Sequence, residues 1–348
     1  MAWTLSRFRA GDLVEVRSKE EILATLDQNG CVDAMPFMPE MLQYCGQRFR
    51  VRAVAHKTCD TIRNTGGRRL NSAVHLMGLR CDGSAHGGCQ AECNLFWKDI
   101  WLKRINSDGS DIPQSTAFPI TSSSGCSEGR LLAQTRAPDG ADYKEPRYAC
   151  QATKLFEASV WLRWWDLRQY IFDVTSRNHR IGHVLRALWL ASLHRLLART
   201  PFGYQLLESF YNGMHRVLTG HSSPWVVGTI PIGTTTPTAK LDLKPGELVR
   251  IKSKMEIEKT VDKNGKNRGL SFDKEMAPYC GSIVRVRSSV EMIIDEKTGR
   301  MRHMKQPCVM LEGVVCNAWY TECRLMCPRL IPSYWREAWL ERVEEYRK

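Results

Sequence analysis

Polar and apolar residues alternate through Phe49–Val54, as in a strand with one face buried. The same reading predicts strands at Leu13–Val16 and Leu248–Ile251, each following a Gly-Asp or Gly-Glu turn. It adds Val74–Leu79, Val309–Val314 and a closing strand over Trp101–Ile105. Ser18 with Glu21, and Ser253 with Glu256, have the Ser-x-x-Glu spacing of a capping box. Each should open a short helix ending near Gly30 or Gly265. From Tyr148 to Thr219 the period becomes helical. Val184, Leu185, Leu188, Leu196 and Leu197 share one expected face, and Leu206, Leu207, Phe210, Tyr211, Met214, Val217 and Leu218 another. Trp161, Trp164 and Trp165 form a bulky stripe suited to packing against a barrel. With Arg163, Arg168, Arg186, Arg195 and Arg199 interleaved, it also suits a lipid- or nucleic-acid-facing surface.

The strand patterns occur twice. Residues 11–52 align with 246–287 without a gap, with identity at 20 of 42 positions. The match resumes at Gly78–Cys81 against Gly313–Cys316 and at Trp101–Arg104 against Trp339–Arg342. The expected fold class is α+β. A first repeat spans 1–105, a linker 106–146, a basic helical segment 147–220, a second linker 221–245 and a second repeat 246–348. The linkers are rich in Ser, Thr, Gly and Pro. Within each repeat, the run of Gly-x-x-Val-x-Val, further strands and a terminal Trp-Leu resembles small SH3-like β-barrels, which implies binding or accessory roles more than catalysis.

Charge narrows the class of partner. The 348-residue chain carries a formal net charge of +13. Residues 147–220 hold ten Lys/Arg against four Asp/Glu, so six of the surplus charges lie there. Another protein or an anionic macromolecule, nucleic acid included, fits this balance. No apolar run reaches the ~18 residues of a membrane helix, and Met1–Arg7 lacks the apolar core of a signal peptide. A cytoplasmic location is therefore expected. In such a reducing compartment, thirteen cysteines point to metal ligation or thiol chemistry before disulfides.

The cysteines cluster. Cys81, Cys89 and Cys93 follow a Cys-x7-Cys-x3-Cys pattern, answered by Cys316, Cys323 and Cys327 at Cys-x6-Cys-x3-Cys. Cys59 and Cys308 stand upstream, and Cys45 and Cys280 match across the copies as a further candidate pair. A tetrahedral zinc site needs about four donors and an iron–sulfur cluster four thiolates. The expected ligands are Cys59, Cys81, Cys89 and Cys93 in the first repeat and Cys308, Cys316, Cys323 and Cys327 in the second. Zinc is preferred to an iron–sulfur cluster, since no redox partner domain is recognisable.

His56, His75, Asp82 and His86 have no counterparts in the second repeat, where the aligned loop reads Asn317–Tyr320. Any chemistry is therefore expected in the first repeat, at His86, Cys89 and Asp82. Nucleotide-binding loops, Ser-His-Asp order, kinase signatures and the His-Glu-x-x-His zinc motif are missing. Through Cys81–Gln90, Leu311–Cys316 and Tyr334–Leu340 the chain resembles an uncharacterised bacterial family with duplicated cysteine-bearing domains, a resemblance that implies no particular activity. Three functions remain: a metal-binding scaffold or adaptor that docks another macromolecule, an accessory biosynthetic enzyme with a Cys/His/Asp site, and nucleic-acid binding through the basic segment.

Overall fold

The computed structural model describes residues 3–106, 125–137, 146–199, 210, 213–220, 224, 226–320 and 324–343. Most of the 106–146 linker, Leu206, Leu207, Tyr211 and Cys323 lie outside them, as does the side chain of Leu197. The fold mixes a few helices with many small antiparallel sheets, and it divides into two compact units. Unit 1 comprises Met1–Ile181 with Met292–Arg302 and Met326–Arg329; unit 2 comprises Gly182–Glu291, His303–Leu325 and Leu330–Lys348.

Unit 1 is built on a five-stranded antiparallel sheet in the order Trp97–Lys98, Ala73–Leu76, Arg48–Val54, Leu13–Val16, Leu102–Arg104. Unit 2 has its own sheet in the order Pro332–Arg336, Cys308–Val315, Ile283–Ser289, Leu248–Ile251, Leu340–Arg342. Residues 235 apart in sequence hold the same register: Leu13 faces Arg50, and Leu248 faces Arg285. Core chemistry repeats as well. Phe37 meets Trp97 and Trp101 edge-on in unit 1, as Phe272 meets Trp335 and Trp339 in unit 2. Edge-to-face aromatic pairs of this kind add to area burial. All four indoles are fully buried.

Both expected capping boxes form: Ser18 accepts from Glu21 N, Ser253 from Glu256 N, and each glutamate reaches back to its cap. The helices are shorter than their pattern predicts, Lys19–Thr25 and Lys254–Glu258. Gly30 and Gly265 instead sit in the following turns at positive φ, where Asp27 and Asp262 each accept the amide two residues on. The third strand of unit 1 stops at Leu76 because Gly78 turns the chain at φ 77°.

The central segment departs further from expectation. Val160–Leu162 is a strand, paired with Gly67–Arg69 in a three-stranded sheet completed by Lys57–Cys59. Helix Arg168–Thr175 is tied to that sheet through buried Asp173, whose carboxylate lies 2.5 Å from Lys57 Nζ and 3.3 Å from His56 Nε2. In helix Ile181–Arg199, Val184, Ala187 and Leu190 are buried whereas Leu185 and Leu196 face solvent. This helix is apolar all round, so the pattern could not choose the inner face. Trp161, Trp164 and Trp165 are exposed rather than packed.

Candidate metal centre

The site lies in unit 1, where the 81–93 loop folds back on a short 3-10 helix. Cys81 N donates to Cys93 O at 2.8 Å, closing the base of the loop. Gly83, at φ 74°, makes the tight turn, accepting the amides of His86 and Gly88. A Cβ there would lie 2.6 Å from Cys89 N, so the loop can close only on glycine. Asp82 caps this turn, accepting from Ser84 N at 2.9 Å and Ser84 Oγ at 2.7 Å. The turn directs His86 inward until it is 1% exposed.

Three side chains then converge. Cys81 Sγ is 3.3 Å from His86 Nε2 and donates to Glu40 Oε1 at 3.5 Å, while His86 Nδ1 is 3.7 Å from the same oxygen. Glu40 comes from the 3-10 helix Pro39–Tyr44 and is itself buried. One donor atom from each of the three lies within 4.8 Å of the others, a spacing that a single metal ion could bridge. Among the described residues no other group of three such donors gathers this closely. Glu40 Oε2 and His86 Nδ1 are buried with no hydrogen-bond partner. Such orphaned groups are costly in a protein interior.

A cavity of about 30 Å³ separates these groups, and Cys89, Cys93 and Cys150 also line it. That volume holds one ion or water molecule. One wall is fixed by Gln151, whose amide bridges Pro36 O, Phe96 O and Phe96 N. Another carries Glu296, paired at 2.7 Å with buried Arg329. Burial alone would lower Arg329, but Glu296, Cys59 and Cys93 outweigh it and hold the guanidinium above its ordinary range.

Burial controls the electrostatics of the cavity. It pushes Glu40 up to about 7 and His86 down to about 4, and it raises the Cys81 thiol strongly. Cys93 rises to about 12 and Cys150 to about 11 for the same reason. Each group is thus driven toward its neutral form, and a cation is the species that restores charge to such a set.

The expected ligands separate. Cys81, Cys89 and Cys93 share the cavity, but Cys89 Sγ accepts from Ile294 N at 3.3 Å. Cys59 ends the Lys57–Cys59 strand, buried and away from the cavity lining. Cys308 is buried in a strand of unit 2 opposite Arg336, Cys316 follows that strand half-buried, and Cys327 falls in the 326–329 segment of unit 1. Cys45 and Cys280 cap equivalent 3-10 helices, and Cys45 does not line the cavity. Within the His86, Cys89 and Asp82 set, His86 meets Cys81 rather than Cys89, and exposed Asp82 turns to Ser84. His75 is fully buried against Phe96, with Nδ1 2.9 Å from Leu95 O.

Sequence reasoning missed Glu40 and Cys150. A signal for Glu40 was present: its equivalent, Glu275, is one of the 20 identities, an acid retained beside apolar residues. In unit 2 Glu275 is buried too, but its carboxylate accepts from Trp319 N at 3.1 Å and Tyr320 N at 2.6 Å. The second copy therefore satisfies with backbone amides the glutamate that the first copy aims at a thiol and an imidazole. Comparison of the chain with protein-family profiles and with curated proteins found no match.

Proposed function

We propose that unit 1 is organised around a zinc ion held by Glu40, Cys81 and His86, with Cys93 or Cys150 as fourth donor, and that the protein is a metal-stabilised scaffold for an anionic macromolecule. The observation that carries this reading is the pair of orphaned buried atoms, Glu40 Oε2 and His86 Nδ1, beside the Cys81 thiol. One carboxylate, one imidazole and thiolates make a mixed set that suits zinc, whereas an iron–sulfur cluster is ordinarily held by four thiolates. Closed burial favours a structural ion, because a catalytic zinc keeps a position open to substrate. A nucleophilic thiol is disfavoured, since burial raises Cys81 and leaves little thiolate.

The two sheets with matching strand order support reading both repeats as SH3-like barrels, and the duplication supports placing the chain in the bacterial family that it resembles. No helix among the described residues is long and apolar enough to cross a membrane. The many cysteines of the sequence favour a reducing compartment such as the cytoplasm. The net charge of +13 sets the sign of the partner.

Metal analysis of purified full-length protein tests the reading. About one zinc per chain is expected, falling to none in Cys81→Ser and in His86→Ala but unchanged in Cys308→Ser. Zinc that survives in both unit 1 variants, or a brown protein carrying iron and sulfide, overturns it.

A further inference from the structure

The two copies treat one equivalent surface differently. In each, a later stretch of chain is pinned to the same carbonyl of the capped helix. Cys126 N donates to Leu23 O at 3.2 Å in unit 1, and Thr229 N donates to Glu258 O, the aligned position, at 3.1 Å in unit 2. The turns that follow those helices also match, with Asp27 accepting from Asn29 N and Cys31 N as Asp262 accepts from Asn264 N and Lys266 N.

Beyond the shared bond the paths part. In unit 2 Ile230 N donates to Val261 O at 3.3 Å and Ile230 O accepts from Lys263 N at 2.9 Å, a parallel bridge to the turn. Farther on, Thr236 Oγ1 accepts from Arg268 N at 2.9 Å, and Pro237 O from the buried Asn267 amide at 2.8 Å. Residues 229–237 thus cover the turn and hairpin of the second copy. They read Thr-Ile-Pro-Ile-Gly-Thr-Thr-Thr-Pro, without a charge.

In unit 1 Ser127 instead caps helix Glu128–Ala133. Beside the equivalent turn and hairpin lies a cavity of about 400 Å³, walled by Asp27, Asn29, Phe37 and Leu131 among others. That size falls within the ~300–1,000 Å³ of ligand sites. The backbone groups that correspond to the partners of Ile230 are Leu26 O and Gln28 N, and neither makes a hydrogen bond among the described residues. Charges on the wall balance: Lys154 pairs with Glu157 at 3.0 Å, and Asp27 is matched by Arg136.

We infer that this cavity binds an extended, uncharged segment of a partner protein, held as unit 2 holds its own residues 229–237. One residue of that segment donates its N–H to Leu26 O and accepts from Gln28 N, so that main-chain pairing supplies affinity and the apolar wall selects side chains. The second copy carries its occupant in the same chain, whereas the first takes one from outside. Balanced wall charge makes this site separate from the anion-binding role proposed above.

The test titrates full-length protein with a fluorescein-labelled synthetic peptide of residues 226–239, followed by anisotropy. Saturable one-to-one binding is expected, with little change between low and high salt. N-methylation of the peptide at Ile230 removes the N–H meant for Leu26 O and should weaken binding about tenfold. N-methylation at Ile232, whose amide bonds nothing among the described residues of unit 2, should leave binding unchanged. Ala137→Trp fills the cavity from its wall and should abolish binding; circular dichroism checks its fold, and the methylated pair decides if it does not fold. Absence of saturable binding, equal effects of the two methylations, or full binding by folded Ala137→Trp overturns the inference. So does an acidic peptide or an oligonucleotide that displaces the labelled peptide more effectively than its unlabelled form. Zinc content is measured in parallel, so failure here is distinguishable from failure of the metal reading.

Discussion

Replacing Glu40 by glutamine should strengthen the metal-free protein while abolishing its metal. The carboxyl has an ordinary value of 4.5, and burial raises it to about 7. A raised carboxyl holds its proton more tightly folded than unfolded. The carboxyl's own contribution to metal-free stability is therefore greatest below about pH 4.5 and declines as pH rises through about 7. At pH 7 the unfolded side chain is ionised and the folded one about half protonated, a penalty of about 3 kcal/mol at ~1.4 kcal/mol per tenfold. Glu40→Gln keeps the shape and removes the ionisation. Chelator-treated variant should thus exceed wild type by ~2–3 kcal/mol at neutral or alkaline pH and match it under mild acid. Urea unfolding followed by near-ultraviolet circular dichroism reads the difference. Zinc-loaded protein should show the opposite order, because the variant lacks the anionic ligand. Glu275→Gln is the internal control. Its two carboxylate oxygens each accept a backbone amide, and glutamine offers only one acceptor oxygen, so a loss of about 1–3 kcal/mol is expected. If Glu40→Gln weakens the metal-free protein as Glu275→Gln does, or still retains zinc, the reasoning about this cavity is wrong.

Three further outcomes follow from the same structure. Gly83→Ala forces a side chain into a φ of 74° against the Cys89 backbone, so zinc stoichiometry should collapse and unit 1 lose about 1–3 kcal/mol in thermal unfolding. Asp173→Asn strips buried Lys57 of its counter-charge, with an expected loss of about 3–5 kcal/mol. Burial pushes Asp173 up, but Lys57 and His56 hold it below its ordinary 3.8; its contribution is therefore intact at neutral pH and disappears only as pH falls below about 4, as an acid titration of wild type against variant should show. Ser18→Ala and Ser253→Ala each remove one helix cap, and each should lower stability by about 1 kcal/mol in chemical denaturation.

The elements legible in the sequence were those dictated by local chemistry. Alternation marked Phe49–Val54, the Gly-Asp and Gly-Glu turns marked the strands Leu13–Val16 and Leu248–Ile251 that follow them, and the Ser-x-x-Glu spacing marked both helix starts. Helix lengths were overread because the Asp27 and Asp262 turns take over before the glycines. In the cysteine loop, Cys81 and His86 stood out by type, but their partner did not: Glu40 is 41 residues from Cys81, and only the fold of the sheet brings them together. Cys150 was hidden for the same reason. Segments 292–302 and 326–329 read as parts of the second repeat, yet they belong to unit 1, where Ile294 engages Cys89 and Arg329 pairs with Glu296. Spacing cannot report such exchange, because the Ile294–Cys89 contact spans 205 residues. The outer face of helix Ile181–Arg199 was equally hidden, since its apolar residues encircle the axis.

The most direct measurement is zinc-edge X-ray absorption on the metal-loaded, full-length protein. A centre built on Glu40, Cys81 and His86 with Cys93 or Cys150 predicts two sulfurs at about 2.3 Å and two or more nitrogen or oxygen ligands at about 2.0–2.2 Å. A shell of four sulfurs, or the same spectrum from His86→Ala, contradicts it.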